Sequence, residues 1–98
     1  MGNKVKEGIN NKYIMELYIT GASPNSARAV TNLNKICETY LKGKYNLKII
    51  DVYQQEFIAE SEQIIALPML VKKFPMPERR LIGDMSDTNK VLRGLGLI

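Results

Sequence analysis

The chain has 98 residues, of which 45% are hydrophobic and 24% charged, and its net charge is +4. These values are typical of one globular domain with a modest core, so they exclude a wholly disordered chain and a two-domain protein. The sequence has no histidine and a single cysteine, Cys37, which excludes an intramolecular disulfide, a cysteine-based metal cluster and the commonest general base.

Residues 1–12 are polar and are predicted to form a flexible leader before a single domain over residues 13–98. The leader lacks the apolar stretch of a signal peptide, and Lys6 stands where a myristoylation motif needs serine or threonine. Apolar runs elsewhere are too short to span a bilayer. We therefore expect a cytoplasmic protein without a membrane partner.

Positive charge is concentrated in the first half of the chain. Eight basic residues stand there against three glutamates, and they are Lys4, Lys6, Lys12, Arg28, Lys35, Lys42, Lys44 and Lys48. Such a basic face suits an acidic protein partner or nucleic acid. The basic residues are scattered singly, however, and no aromatic, Arg-rich stretch is present to stack bases. We interpret most of this charge as a solvated face and expect no nucleic-acid binding.

The domain begins with a pattern that predicts a strand, a helix and a second strand. The segment YIMELYI, residues 13–19, is nearly continuously apolar and is typical of a strand that is covered on both faces. Residues 24–41 switch to helical spacing, and YNLKIIDV, residues 45–52, predicts the second strand. This order predicts a right-handed βαβ unit with parallel strands.

The helix carries clear signals at both ends. Ser23 is predicted to be its N-cap, Pro24 occupies the first helical position, and Gly43 follows the helix. Its apolar positions recur at steps of three or four residues. They are Ala27, Val30, Leu33, Cys37, Tyr40 and Leu41.

The second half of the domain gives weaker signals. QEFIAESEQII, residues 55–65, has helical spacing, and PMLVKKF predicts a short strand that begins at Pro68. The following FPMPE segment is predicted to turn, so that RRLIGDM forms an antiparallel hairpin with the PMLVKKF strand. Ser86 is predicted to cap a last helix. KVLRGLGLI contains two glycines that weaken a helix and enough β-prone residues for a strand, so both alternatives stay open there.

The turn from the first strand into the helix, TGASPNS, raises three alternatives. A phosphate-binding loop needs more glycines and a lysine beside the helix, and neither is present. A redox site needs cysteines, and a nucleophilic serine needs a base such as histidine. We therefore interpret Ser23 as a helix cap and expect neither an active site nor a cofactor at this turn.

The order of elements resembles that of thioredoxin-like proteins, an α/β fold. ALPML, residues 66–70, stands where those proteins keep a cis-proline, which makes Pro68 a candidate for a cis peptide bond. The redox C-x-x-C motif of that fold is replaced here by Ser-Pro-Asn-Ser.

Several sequence blocks together resemble the KaiB family. These blocks are G-x-x-P-N-S, I-D-V, P-x-R-R-x-I-G-D and K-V-L, and the similarity extends from about Lys12 to the C-terminus. The resemblance implies a non-enzymatic regulator that docks on the hexameric ATPase KaiC, in circadian timing or stress adaptation, with KaiA or a histidine kinase as further partner candidates. It also implies two folds for the C-terminal half: a tetrameric ground state and a thioredoxin-like monomer that binds KaiC.

The candidate partner-binding residues are the basic positions within the matched blocks, namely Arg28, Lys48, Lys72, Lys73, Arg79 and Arg80. Arginine is favoured because its planar fork can hold a carboxylate with two hydrogen bonds. Arg79 and Arg80 have an equal alternative, which is to bind carboxylates within the protein's own dimer or tetramer. Gly94 is assigned a structural role, and Gly94→Ala is expected to favour the last helix.

Two other classes of function remain open. The chain could be a detached sensory domain, because the N-terminal domain of the histidine kinase SasA resembles KaiB. It could also be a degenerate oxidoreductase that works through Cys37.

Overall fold

The structure is a computed structural model that describes residues 12–21, 23–53, 62, 64 and 66–98. Its strands are β1 (Tyr13–Ile19), β2 (Tyr45–Asp51), β3 (Met69–Phe74) and β4 (Arg79–Ile82), and its helices are α1 (Pro24–Tyr40) and α2 (Thr88–Gly94). The predicted leader, apart from Lys12, and nearly all of the predicted helix over residues 55–65 lie outside the described residues.

The four described strands form one mixed sheet in the order β2-β1-β3-β4. β1 and β2 are parallel, with Tyr13 opposite Tyr45 and Ile19 opposite Asp51, as the βαβ pattern predicts. β3 lies antiparallel to both β1 and β4, which confirms the predicted hairpin. Both Pro75 and Pro77, in the turn of that hairpin, follow cis peptide bonds, and the predicted cis bond before Pro68 is confirmed.

The sheet has a core on each face, which confirms the prediction that β1 is covered on both sides. Met15 and Leu17 point to the first face and pack with both helices. Tyr18 points to the second face, where its side chain is fully buried against Ile50 and Val71. The described helices therefore cover one face only, and the second core packs against Val52, Ile64, Ala66 and Leu67.

The buried stripe of α1 differs from the predicted one. Ala27 and Tyr40 are exposed, whereas the stripe contains Ser26, Ala29, Leu33, Ile36 and Cys37. The prediction followed apolar side chains and therefore missed Ser26, whose buried hydroxyl accepts a hydrogen bond from the backbone of Thr20. This bond offsets the cost of burying a polar group at the helix N-terminus.

The last segment is a helix, and its cap differs from the prediction. Asp87, and not Ser86, is the N-cap of α2, because its side chain accepts a hydrogen bond from the Lys90 N–H at 3.1 Å. The Ser86 N–H instead donates to Asp84 at 3.0 Å. Gly94 lies within the helix. Gly96 lies beyond it with φ +77°, the left-handed conformation with which glycine commonly ends a helix.

Among the residues that the structure describes, no helix is long and apolar enough to cross a membrane.

Candidate partner-binding site

The turn that opens α1 is a network of hydroxyl groups that belongs to the helix cap. Ser23 Oγ accepts a hydrogen bond from the Ser26 N–H at 3.1 Å, which confirms Ser23 as the N-cap and Pro24 as the first helical residue. Ser23 Oγ also lies 2.8 Å from Ser26 Oγ, which accepts from the Thr20 N–H at 3.0 Å. The hydroxyls therefore satisfy backbone and side-chain groups of the turn itself.

The same turn is tied to the end of β2 by a carboxylate. Asp51 Oδ1 accepts hydrogen bonds from the Gly21 N–H at 3.1 Å and from the Tyr53 N–H at 2.9 Å. Gly21 has φ +46°, a conformation that glycine adopts readily. Because the protein's own carboxylate already occupies the Gly21 amide, the turn is built as a structural junction and not as a phosphate cradle.

Cys37 lies in the core between α1 and the sheet, with no exposed surface. Burial is the main cause that raises the pKa of its thiol to about 11, and the charge of Glu38 adds to the effect. A thiol with so high a pKa is protonated at neutral pH and is a poor nucleophile.

The sheet separates the four basic candidates of β3 and β4 into two pairs. Lys72 and Arg79 are opposite each other in the β3–β4 register, on the face that α1 and α2 cover. Lys73 and Arg80 alternate with them and therefore point to the other face, where Val71 is buried. Neighbours in the sequence thus serve different surfaces, and Arg79 and Arg80 do not act as one pair.

On the second face, Lys73 and Arg80 bind residues of the protein itself. Lys73 Nζ lies 2.6 Å from Glu62 Oε1, and this hydrogen bond raises the lysine pKa. Arg80 donates to the Glu62 carbonyl at 2.7 Å and lies 3.7 Å from Glu78 Oε2. Both side chains therefore connect Glu62 to the hairpin.

Arg28, on α1, likewise binds residues of the protein itself. Its guanidinium lies 3.3 Å from Asp84 Oδ2 and also donates to the Asn25 side chain. Asn32 donates to the Asp84 carbonyl at 2.9 Å. Together these contacts fasten the β4–α2 loop to α1. Lys48, by contrast, is exposed on the edge strand β2, and no described carboxylate lies within 4.0 Å of its amine.

On the first face, the end of the sheet forms a cavity of about 200 Å³ beside the C-terminus of α2. We call it the cationic groove, and its basic residues are Lys72, Arg79 and Arg93. Lys72 is only 4% exposed, and its burial, followed by the charge of Arg79, lowers its pKa. Sequence reasoning missed Arg93, although a basic residue near the end of a predicted helix was a signal for it.

The chain matches the family model of the KaiB domain over residues 16–97. The chain belongs to the KaiB family. A relative named circadian clock oscillator protein KaiB, from Prochlorococcus marinus strain MIT 9312, is 51% identical over 86 residues, which are 88% of this chain and 82% of that protein. A protein of the same name from Picosynechococcus sp. is 48% identical over 90 residues, which are 92% of this chain and 86% of that protein.

Solved structures show the fold of this KaiB-family chain to be thioredoxin-like. The N-terminal domain of SasA from Synechococcus elongatus matches with a TM-score of 0.71 at 23% identity, over 90% of this chain and 87% of that one. The thioredoxin Deadhead from Drosophila melanogaster matches with a TM-score of 0.71 at 17% identity, over 97% and 89% of the two chains. These likenesses confirm the predicted α/β thioredoxin-like fold, and the family match confirms the resemblance found in the sequence.

Proposed function

We propose that this chain is a cytoplasmic, non-enzymatic regulator that docks on a KaiC-like ATPase, in circadian timing or stress adaptation. Its membership of a family of clock proteins supports the regulatory role. The observation that carries the docking proposal is the fold of the C-terminal half. The family resemblance assigns KaiC binding to the thioredoxin-like form, and β3, β4 and α2 complete that form here.

The local chemistry of the opening turn supports a non-enzymatic role. Ser23 and Ser26 are engaged in the cap, and the position of the redox motif holds no thiol. Cys37 is buried and protonated at neutral pH. A disulfide-reductase assay should therefore give background activity for the wild type and for Cys37→Ser. Activity that disappears in Cys37→Ser would favour the oxidoreductase alternative.

The six basic candidates divide into contact residues and positioning residues. We propose that Arg79 and Lys48 contact the partner, because both are exposed and have no described carboxylate within 4.0 Å. Arg28, Lys73 and Arg80 act by holding loops in place through their internal contacts. Lys72 is almost fully buried and supports the surface that contains Arg79 from inside the groove.

A pull-down with a KaiC homologue, with and without ATP, tests the docking proposal. We expect capture of the wild-type chain and weaker capture of Arg79→Ala. Capture of the variant should also depend less on salt, because salt screens the attraction of exposed charges and the variant has one such charge fewer. Lys35→Ala removes an exposed charge from α1 and is the matched control, which should bind like the wild type. Absence of capture in both nucleotide states would contradict docking.

Arg79 also serves to separate docking from self-association. Analytical ultracentrifugation of wild type and Arg79→Ala measures whether the chain forms dimers or tetramers and whether Arg79 contributes. If Arg79→Ala dissociates an oligomer and leaves capture unchanged, the arginine binds a carboxylate of a second copy. Arg80→Ala is unsuitable for this purpose, because Arg80 also holds the Glu62 carbonyl.

We also propose the second fold that the resemblance implies, a tetrameric ground state in exchange with the form described here. The short β4 and α2, of 4 and 7 residues, support it, because elements of this length are marginal alone. If tetramers remove the binding form, the observed association rate should fall as this protein is concentrated. Interferometry over a concentration series checks this, and fast association at every concentration would contradict it.

A further inference from the structure

The cationic groove lies where three parts of the fold meet. Tyr13 enters it from the start of β1, the hairpin turn at residues 75–77 closes one side, and residues 93–96 at the end of α2 close another. Lys72 and Arg79 enter from opposite positions on β3 and β4. Three positive charges therefore line a cavity of about 200 Å³, which is small for three basic side chains.

The burial of Lys72 is the most unusual feature of the groove. A lysine that is only 4% exposed is normally paired, because an unpaired buried charge is unfavourable. Among the described residues, no carboxylate lies within 4.0 Å of Lys72, Arg79 or Arg93. The Lys72 side chain also makes no hydrogen bond in the part of the chain that the structure describes, although its backbone belongs to the ladder of β3. The lowered pKa of Lys72 follows from this desolvation and from the proximity of Arg79.

The end of α2 does not compensate these charges, although helix C-termini attract cations. The carbonyls of Val91, Leu92 and Arg93 accept hydrogen bonds from the N–H groups of residues 95, 97 and 96. The carbonyl of Leu95, a buried residue beside the groove, accepts from the Tyr13 hydroxyl at 2.9 Å. The protein's own donors thus engage these four carbonyl oxygens, and with no described carboxylate within 4.0 Å the three cations are left for an external anion.

We propose that the cationic groove binds an oxyanion, either a phosphate or a carboxylate, between buried Lys72 and exposed Arg79 and Arg93. The planar arginine forks can bind two oxygens each, and the lysine adds a point charge in a site partly shielded from water. This proposal goes beyond docking on an ATPase, because an oxyanion can bind the isolated chain. The outcome of the oxyanion test does not depend on whether a KaiC homologue captures the chain.

An NMR titration of the isolated chain with inorganic phosphate at constant ionic strength tests the site. We expect the amide signals of residues 72, 79 and 93–96 to move together in one saturable transition. Lys72→Met keeps the apolar stem and removes the charge, and it should weaken phosphate binding about tenfold or more, since a hydrogen bond to a charged group contributes about 1.5–3 kcal/mol. Lys35→Met, on the outer surface of α1, is the matched control and should leave the affinity unchanged.

Thermal melting provides a second readout. Removal of an unpaired buried charge should raise the melting temperature of Lys72→Met in phosphate-free buffer, and added phosphate should raise that of the wild type more than that of the variant. If Lys72→Met does not fold, Arg93→Gln replaces it, since Arg93 is exposed. Equal phosphate affinity of wild type and variants, or shifts spread over all basic residues without saturation, would overturn the proposal.

A second arm distinguishes the source of the oxyanion. The peptide acetyl-Gly-Glu-Gly-amide and its Gln analogue are titrated under the same conditions. Preference for the Glu peptide over phosphate would show that the groove receives an acidic side chain of a protein, whereas preference for phosphate would show a free anion. Binding of the Gln peptide as tightly as the Glu peptide, without binding of phosphate, would contradict an oxyanion site.

Discussion

Residues 13–51 and residues 69–94 are built from elements of different length. α1 has 17 residues with a serine cap and a first-turn proline, whereas α2 has only 7 and β4 only 4. Isolated helices shorter than about 12–15 residues are marginal in water, so α2 depends on tertiary packing. Its buried Val91 and Leu92 pack in the same cluster as Leu33 and Cys37 of α1. The short α2 is therefore stabilised through a core that both halves of the domain share.

The largest expected effect comes from the shared core. Leu33→Ala removes a fully buried side chain from α1 and should lower the free energy of unfolding by about 2–5 kcal/mol. Because α2 packs on this core, hydrogen exchange at residues 91–95 should accelerate together with exchange in α1. Tyr40→Ala on the same helix is the control, and since Tyr40 is 51% exposed it should change stability by about 0.5 kcal/mol or less. Faster exchange in α1 with unchanged exchange in α2 would show that the two halves are independent.

Alkaline pH tests the same core without a cavity. The pKa of the Cys37 thiol is raised from 9.0 to about 11 by burial, so between these values the unfolded state loses its proton while the folded state keeps it. The contribution of this thiol to the free energy of unfolding is therefore fully present below pH 9. It is lost as pH rises towards 11, by about 2–3 kcal/mol in total.

Urea unfolding of wild type and Cys37→Ala at several pH values measures this effect. Tyr45, whose pKa is raised to about 12 mainly by its hydrogen bond to Glu38 and also by the charge of Cys37, titrates in both proteins, so the difference between their slopes reports the thiol together with its coupling to Tyr45. Parallel slopes from pH 9 to 11 would mean that Cys37 is more accessible than the structure shows.

Gly94 tests the contact between α2 and β4. The sequence favoured Gly94→Ala as a helix-stabilising change; Gly94 lies within α2, and an added Cβ would lie 2.6–2.9 Å from three carbon atoms of the Leu81 side chain, which would have to shift. Overpacking costs about 1–3 kcal/mol and outweighs the helix-propensity gain of about 1 kcal/mol. Thermal unfolding should therefore show a net loss of stability.

The double variant Leu81→Ala with Gly94→Ala provides the control. It should be more stable than the sum of the two single changes predicts, because the smaller side chain leaves room for the new methyl group. Additive effects would show that Leu81 moves away freely and that the contact is unimportant.

These contrasts also explain which features could be predicted from the sequence. β1, α1 and β2 were predictable because apolar pattern, caps and glycines agree there at each level. In the second half, Lys72 and Lys73 are adjacent and chemically identical, and only the β3–β4 register decides that the first is buried and the second binds Glu62. Arg79 and Arg80 are separated in the same way. The close contact at Gly94 involves Leu81, which lies 13 positions earlier in the sequence. A local sequence pattern does not include so distant a residue and therefore could not predict this contact.

Ser23 tests the cap of the longer helix. Ser23→Ala removes the acceptor of the Ser26 N–H and a neighbour of the buried Ser26 hydroxyl, so it should lower stability by about 0.5–2 kcal/mol. Affinity for a KaiC homologue per folded molecule should not change, because these hydroxyls serve the turn itself. Lost binding at full stability would show that the turn is a contact site.

The smallest effect concerns the N-cap of α2, for which the sequence predicts Ser86 and the structure shows Asp87. Asp87→Ala removes the acceptor of the Lys90 N–H and a negative charge near the helix N-terminus, and should cost about 0.5–1 kcal/mol. Ser86→Ala is the comparison variant: it keeps the Ser86 N–H bond to Asp84 but removes the side-chain hydrogen bond to the same exposed carboxylate, so it should lower stability by less than Asp87→Ala. Circular dichroism during urea unfolding of both variants provides the measurement. A larger loss for Ser86→Ala than for Asp87→Ala would restore the cap that the sequence predicted and would place the start of α2 one residue earlier.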